Sequence, residues 1–595
     1  MKGALASSLF LFALTGIAHA DLKYTVQSGS EETTLKVTIN LKANSDTTKF
    51  QIPNWAPGSY RYDDNWKKVS KPVLKVNGKE TAINTTSEGK LPVITTWSGA
   101  TPVGSSVELS YEIPVQYGNG IGHYAGPSTY IYPVGRLKEK VQLSFNFKPG
   151  TMIATGLDAT NSAGTQFKAE DYDVLADNPV TYGKFELDTY KVDGKQHYIA
   201  YRGAAVKDVD RAYVIKACKY ITQMQGDFFG GLPYNKYVWH FAVNGGADGA
   251  GGLEHLSSTQ ISMAAGVGPG VVGVYSHEFF HLWNVKRIRS AVLGPFDYTV
   301  LPQTGALWWL EGVTDYYAHT LLGRYGWYGQ NEREKDPITK MYAEMMTNVN
   351  GVRANQARMT VSPYESSFRV RDAANGRGNS QGYQLSYYNT GWLCGLVLDI
   401  EILSKTNGKY SLDDVERSLW KQCKDSQPGF NEDQIRKECV KFGGASLGAF
   451  YDQVIMKPGE LPVEAQLAKL GLQIASKEET FGKLPFTLRP DAELGGLRVS
   501  LSDIDTLTTA DTVLAVNGVS FEKGDNRTQQ TQLRKLTQDA KPGDIWSLKV
   551  KRGSDYEVVL AEISAGKRTS RKVIELPNAT AEQKQLRAKF EAKHR

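Results

Sequence analysis

Cysteine is scarce in this sequence: Cys218, Cys394, Cys423 and Cys439 are the only four in 595 residues, and none has the spacing of a metal-ligand set. Long apolar runs are missing too. The stretch from Leu9 to Ile17 is short, and no later run reaches the roughly 20 residues that a membrane span requires. An excess of one charge is also lacking, since 69 Lys and Arg face 63 Asp and Glu and are not gathered into a stripe. That removes the electrostatic footprint of a nucleic-acid binder. Hydrophobic, charged and aromatic shares of 41%, 22% and 11% are those of a folded chain, so disorder is excluded as the default.

What is present begins with length. One hydrophobic core stops growing at about 250 to 300 residues, so two to four domains are expected. Residues 1–20 combine Lys2, the short apolar stretch and Ala18-His19-Ala20, the pattern of a cleaved signal peptide. The mature chain is then expected from Asp21, periplasmic or secreted, without a membrane span. In an oxidising compartment Cys423 and Cys439, flanking Pro428-Gly429, form a candidate disulfide, with free thiols as the alternative. Cys218 and Cys394 lie in apolar helical patterns and read as buried small hydrophobes.

From 21 to 185 the hydrophobic period is two: Leu35, Val37, Ile39 and Leu41, then Val107, Leu109, Tyr111 and Ile113, then Val141, Leu143, Phe145 and Phe147. This predicts a β-sandwich-like N-terminal domain. Between 186 and 462 helical spacing dominates around one small sheet, with helices expected over 271–284, 307–322 and 387–403. Short strands return in 463–566, with an Asn517-Gly518 turn. A basic tail over 567–595 ends in a capped helix from Thr580, expected to be solvated. The fold class is a multidomain α+β protein, β-rich at both ends with a helix-rich middle.

Nine histidines in 595 residues make any grouping of them informative. His277-Glu278-Phe279-Phe280-His281 places two imidazoles four residues apart on one helix face, where they can share a zinc ion. Chance produces His-Glu-x-x-His in fewer than about one such chain in a hundred. Glu278 beside them can take a proton from a water that the metal acidifies, and pass it to the departing amine. A third protein ligand must follow downstream. Glu311, in the apolar run Trp308-Trp309-Leu310-Glu311-Gly312-Val313, is the choice, because a bare carboxylate there is costly unless paired or metal-bound. Asp315, one turn on, can orient a ligand imidazole, although a surface Asp fits the pattern equally.

Together, His277 to His281, Trp309-Leu310-Glu311-Gly312 and Gly251-Gly252-Leu253-Glu254-His255 resemble the gluzincin metallopeptidases, and within them the glycyl aminopeptidase family. Trp283-Asn284-Val285-Lys286-Arg287-Ile288-Arg289 and Trp55-Ala56-Pro57-Gly58-Ser59-Tyr60 are similar to that family's sequences. The resemblance implies a thermolysin-like catalytic domain behind an N-terminal β-domain, one Zn2+ held by His277, His281 and Glu311, and Glu278 as general base. In related alanyl aminopeptidases a strand motif Gly-x-Met-Glu-Asn binds the substrate's free α-amine through its Glu. The equivalent here is Glu254, with His255 standing where Asn is usual. Relatives also use a Tyr three residues before a Gly as oxyanion donor, which points to Tyr388 before Gly391, with Tyr383 and Tyr387 as neighbours. The segments Leu494-Gly495-Gly496-Leu497 and Asp511 to Gly518 resemble a PDZ domain, which implies a peptide ligand.

The expected activity is removal of N-terminal residues, Gly or Ala by the resemblance, from peptides. Two other readings fit the same chain. One is a zinc endopeptidase whose protein substrates the PDZ-like unit delivers. The other is a non-catalytic periplasmic PDZ binding protein, against which an intact Glu278 argues.

Overall fold

The computed structural model describes residues 22–593 except residue 60 and the stretches 245–249, 265–270, 331–335, 375–384, 424–428, 492–494 and 522–525. The expected signal peptide over 1–20, together with Tyr383, Pro428 and Leu494, lies outside the described residues. Among the described residues no helix is long and apolar enough to cross a membrane.

The period-two segments of the N-terminal region form an eight-stranded sheet accompanied by two four-stranded ones. Thr34–Lys42 alternates buried and half-buried along its length and pairs antiparallel with Ser106–Pro114, setting Val37 opposite Tyr111 and Ile39 opposite Leu109. Leu22–Ser28 runs parallel to Val141–Phe145. The strand ends at Phe145; Phe147 lies beyond it and stacks on Tyr182 with ring centroids 4.6 Å apart. Tyrosine serves this core because its ring fills space while its hydroxyl finds a carbonyl: Tyr24 donates to Ile131 O and Tyr111 to Thr129 O, each at 2.8 Å.

The middle region builds a five-stranded sheet in the order Glu186–Val192, Lys195–Arg202, Lys236–Asn244, Ser258–Ala264, Ala250–Glu254. Its central strand, Lys236–Asn244, is parallel to both neighbours and buried at every interior position, hence its unbroken run Tyr237 to Val243. Ala250–Glu254 is an antiparallel edge lying along the helix Val272–Phe280. That helix is shorter than the 271–284 expected. After His281 the chain folds back, with Lys286 N donating to His281 O and Ile288 N to Trp283 O. The segment expected as one helix over 307–322 is a π-helical turn, Trp308–Val313, continued by the α-helix Thr314–Arg324. The helix begun at Tyr387 runs to Lys405.

The two regions interlock. Tyr298, from the middle region, is buried in the N-terminal core, tilted against Tyr132 and edge-to-face with Tyr172, and donates to Asp173 Oδ1 at 2.9 Å.

At the C-terminal end Leu472–Lys483 pairs with Ser564–Glu575 along its whole length, forming a two-stranded ribbon. Between its arms sits a β-rich unit with its own core of Leu497, Val513, Leu548 and Val550. Asn517 and Gly518, with φ of 49° and 80°, make the expected two-residue hairpin. The helix Ala581–Phe590 carries the capping box at Thr580 and Gln583. It is not a free solvated helix. Phe590 is 2% exposed within the core of the middle region, Tyr342 donates to Glu591 at 2.8 Å, and Arg324 Nε donates to Ala592 O at 2.8 Å. The surplus charge of this segment hid the one aromatic residue that anchors it.

The expected disulfide is also corrected. Cys423 ends the helix Leu412–Cys423 and Cys439 lies within Asp433–Gly443; both are buried free thiols, packed as small hydrophobes like Cys218 and Cys394.

Candidate active site

Three local accidents of the chain converge on one point. The helix Val272–Phe280 and its first following residue carry His277 and His281 on one face, and their Nε2 atoms stand 3.0 Å apart. The π-helical turn swings Glu311 across to them, its Oε2 3.4 Å from His277 Nε2 and 3.2 Å from His281 Nε2. A π-turn winds more loosely than an α-helix and frequently marks functional sites. Here Asn284 repairs the disturbance: its Nδ2 donates to Trp309 O and to Thr314 Oγ1, each at 3.1 Å.

Hydrogen bonds on the far side of each ring decide which nitrogen carries the proton. His281 Nδ1 donates to Asn284 O at 2.6 Å, and His277 Nδ1 lies 3.3 Å from the Asp315 carboxylate. With Nδ1 protonated in both neutral rings, the two Nε2 atoms present lone pairs to one another and to a carboxylate oxygen. Such a set repels itself unless protons or a cation sit between. Without a metal the protons must come to the rings. Burial resists the His277 imidazolium, but Asp315 and Glu311 outweigh it and hold its pKa well above the usual histidine range. A His, His, Glu donor set with both imidazoles tied off behind is the chemistry of a zinc site.

Glu278 faces the same space. Burial pushes its carboxyl up to about 7, against the pull of His277 and His281, with Glu254 and Glu311 adding to the rise. Its Oε2 is buried and meets no donor among the described residues, leaving it free to accept from a water. Gly252 is what lets it fit, since a Cβ there would lie 2.3 Å from Glu278 Cγ and Cδ. The edge strand thus presses its bare backbone against Glu278.

Glu254, at the end of that strand and 6% exposed, brings its carboxylate into a second cluster with Glu278 and His281, the three ligand atoms lying within 4.8 Å of one another. Tyr388 is the second residue of the helix Tyr387–Lys405, its ring centroid 6.0 Å from that of His277. A glycine crossing makes this approach possible. Gly312 and Gly391 meet face to face, so that a Cβ on Gly312 would lie 2.5 Å from Gly391 Cα and one on Gly391 would lie 2.1 Å from Trp308 O. Asp315 reaches His277 on one side and His319 Nε2 at 3.7 Å on the other.

His277, Glu278, His281, Glu311, Asp315, Glu254 and Tyr388 therefore come together around one centre, while the four cysteines lie in the apolar core. Asn284 and Gly252 were not singled out individually. A polar Asn at the end of a buried apolar helix, and a second Gly in an edge strand, were the signals available for them.

Comparison with known proteins agrees with this picture. Residues 270–394 match the M61 glycyl aminopeptidase model and residues 23–184 match the peptidase M61 N-terminal domain. No curated protein matches the sequence. Among solved structures, an aminopeptidase N family protein from Idiomarina loihiensis superposes with a TM-score of 0.72 at 18% identity, over 95% of this chain and 99% of that one. An M1 zinc metallopeptidase from Deinococcus radiodurans gives 0.45 at 13% identity over 75% and 94%. Leukotriene A4 hydrolase from Saccharomyces cerevisiae gives 0.46 at 12% over 76% and 70%. Residues 23–184 and 270–394 thus match the two M61 peptidase models in order, and the chain is a metallo-aminopeptidase.

Proposed function

We propose that the chain removes single residues, small ones such as Gly and Ala first, from the free N-termini of peptides, using one zinc ion held by His277, His281 and Glu311. When bound, zinc supplies Lewis acidity, lowering the pKa of water and polarising the scissile carbonyl. The protein's residues do the rest. Glu278 accepts the proton of the attacking water at its buried carboxylate and returns it to the departing amine. Tyr388 donates its hydroxyl to the carbonyl oxygen as negative charge gathers there. Glu254 accepts the substrate's α-ammonium and so sets the distance from N-terminus to scissile bond. Asp315 keeps His277 in the tautomer that offers Nε2 outward.

The observation that carries this reading is the second cluster, in which the Glu254 carboxylate lies within 4.8 Å of both the base and a ligand histidine. A carboxylate so close to the reacting centre rewards a substrate whose ammonium is one residue from the bond to be cut. The small-residue preference rests on the family's description. The sequence of the first twenty residues supports export, and the resemblance of the C-terminal β unit supports a peptide end as its ligand.

Metal-analysed protein assayed on glycyl, alanyl and leucyl nitroanilides, free and N-acetylated, with and without chelator, tests the proposal. Chelator should abolish turnover and acetylation should nearly do so. Turnover that survives metal removal overturns the zinc centre, equal rates on acetylated compounds overturn the role of Glu254, and equal rates on leucyl and glycyl compounds overturn the size preference.

A further inference from the structure

Glu254 belongs to a strand of the middle region, yet much of what holds it comes from the N-terminal domain. Asp177, just after the short helix Tyr172–Ala176, is buried; its backbone N–H caps that helix at Asp173 O, but the observed hydrogen-bond partners of its carboxylate lie across the boundary. Its Oδ1 accepts from Lys286 Nζ at 2.7 Å and lies 3.2 Å from His255 Nδ1, while its Oδ2 accepts the backbone N–H of Leu256 at 2.7 Å. Two of these three donors are on the two residues that follow Glu254. Gln260 Nε2 donates to His255 Nε2 at 3.0 Å, so the imidazole has its proton on Nδ1, toward Asp177. Burial resists ionisation of Asp177, but Lys286 and His255 outweigh it and hold its carboxyl down at about 2. Asp177 is therefore a fixed negative charge that clamps the strand end.

The second hold is steric and independent of the first. Gly58, in the loop that follows Trp55 of the N-terminal domain, has φ of +84°, and a Cβ on it would lie 2.3 Å from Leu253 Cδ1 and 3.2 Å from both carboxylate oxygens of Glu254. The loop's own place is set from across the boundary, where Trp55 Nε1 donates to Asp297 O at 2.9 Å and Asn54 N donates to Tyr298 O at 2.9 Å. Beyond Glu254 a cavity of about 220 Å³ is walled by Trp55, Pro57 and Gly58 on one side and by Val285, Lys286 and Phe296 on the other.

We propose that the N-terminal β-domain is part of the amine-recognition site, with Asp177 and Gly58 as positioning residues that fix the Glu254 carboxylate for the substrate's α-ammonium. This rests on the role given to Glu254 above. The physical reason is that a carboxylate on a flexible side chain at the end of an edge strand loses ordering free energy on binding, unless it is held beforehand. An amide in place of the Asp177 carboxylate would set an N–H against Leu256 N–H or against Lys286 and His255, and release the strand end.

The test uses the full zinc-loaded chain and two ligands that chelate through the same hydroxamate, glycine hydroxamate with an α-ammonium and acetohydroxamate without one. Calorimetric Kd values give a preference ratio that general loss of structure would not move selectively. In wild type glycine hydroxamate should bind more tightly, and Asp177→Asn and Gly58→Ala should each cut that preference by about tenfold while leaving acetohydroxamate affinity and metal content unchanged. An unchanged ratio in both variants overturns the inference, as does an equal loss for both ligands. Where Asp177→Asn folds poorly because Lys286 is left buried without its partner, the double variant Asp177→Asn with Lys286→Met removes that charge, and the same ratio is read. Glu254→Ala separates the two levels of the argument. If it leaves the preference intact, the amine role of Glu254 falls; if it removes the preference while the Asp177 and Gly58 variants keep it, only the positioning role falls.

Discussion

The two halves of the active site are built on different plans. The metal half is assembled inside one domain from pieces close in sequence, with His277, His281, Asn284, Glu311 and Asp315 spanning fewer than forty residues and each imidazole tied off by a neighbour from that same stretch. The amine half is assembled across a domain boundary, with Glu254 held by Asp177 and Gly58 from the distant N-terminal domain. A short-range design survives movement of the domains, whereas a long-range one responds to it. On the roles proposed above, catalytic power and N-terminal specificity would be under separate structural control.

The sharpest break of this comparison is at the base. Glu278→Gln keeps the shape of the side chain and loses the proton acceptor, so kcat should fall by about a thousandfold while metal content and the hydroxamate preference ratio stay at wild-type values. Residual turnover near wild type would remove Glu278 from the mechanism. Its pH dependence sharpens the same point. The base works only when ionised, so kcat/KM should fall as pH drops through the Glu278 pKa. That pKa is raised toward about 7 by burial in the metal-free protein, and a bound cation pulls it lower. The acid limb should therefore lie below neutrality in the loaded enzyme, and a flat profile through the acidic range contradicts the assignment.

A smaller effect is expected behind the metal. Asp315→Asn leaves the three ligands in place but weakens the acceptor that orients His277, which should cost about 10- to 100-fold in zinc affinity, read by competition with a chromogenic chelator. The hydroxamate ratio, measured at saturating zinc, should not move. If it falls with zinc affinity, the two halves of the site are not separable and the comparison fails.

How much of this was legible in the sequence follows the same division. The His277 helix and Glu311 could be read because their spacing encodes their geometry: four residues place two side chains on one face, and a carboxylate inside Trp308 to Val313 has few other reasons to be there. The alternation through Leu35 to Leu41 was legible for the same reason, since one buried face imposes its period on the chain. The π-turn was not, because an apolar stretch of that length satisfies an α-helix equally well, and the wider winding comes from Asn284 and the glycine crossing at Gly312 and Gly391. Nor could Asp177 be singled out. Its partners, His255, Leu256 and Lys286, lie 78, 79 and 109 residues away, and no local pattern marks one aspartate in a loop as the receiver of three donors. The docking of the terminal helix was hidden similarly, since it joins Phe590 to partners as distant as Tyr342 and Arg324, which no local pattern marks.

The smallest expected effect concerns the thiols, which stand in neither half of the site. Cys423 and Cys439 occupy separate helices with apolar neighbours, and burial raises both thiols, Cys423 to about 11, so neither is a ready thiolate. A native disulfide between them would typically contribute about 2–4 kcal/mol, enough to lower Tm visibly on reduction. With the thiols free, Tm and zinc affinity should be the same with and without reductant, and four thiols per chain should react with a thiol reagent in denaturant before any reduction. Finding two instead of four, together with a Tm that drops on reduction, would show that these helices are cross-linked. The packing of the helices Leu412–Cys423 and Asp433–Gly443 would then owe its rigidity to a covalent bond and not to its apolar contacts alone.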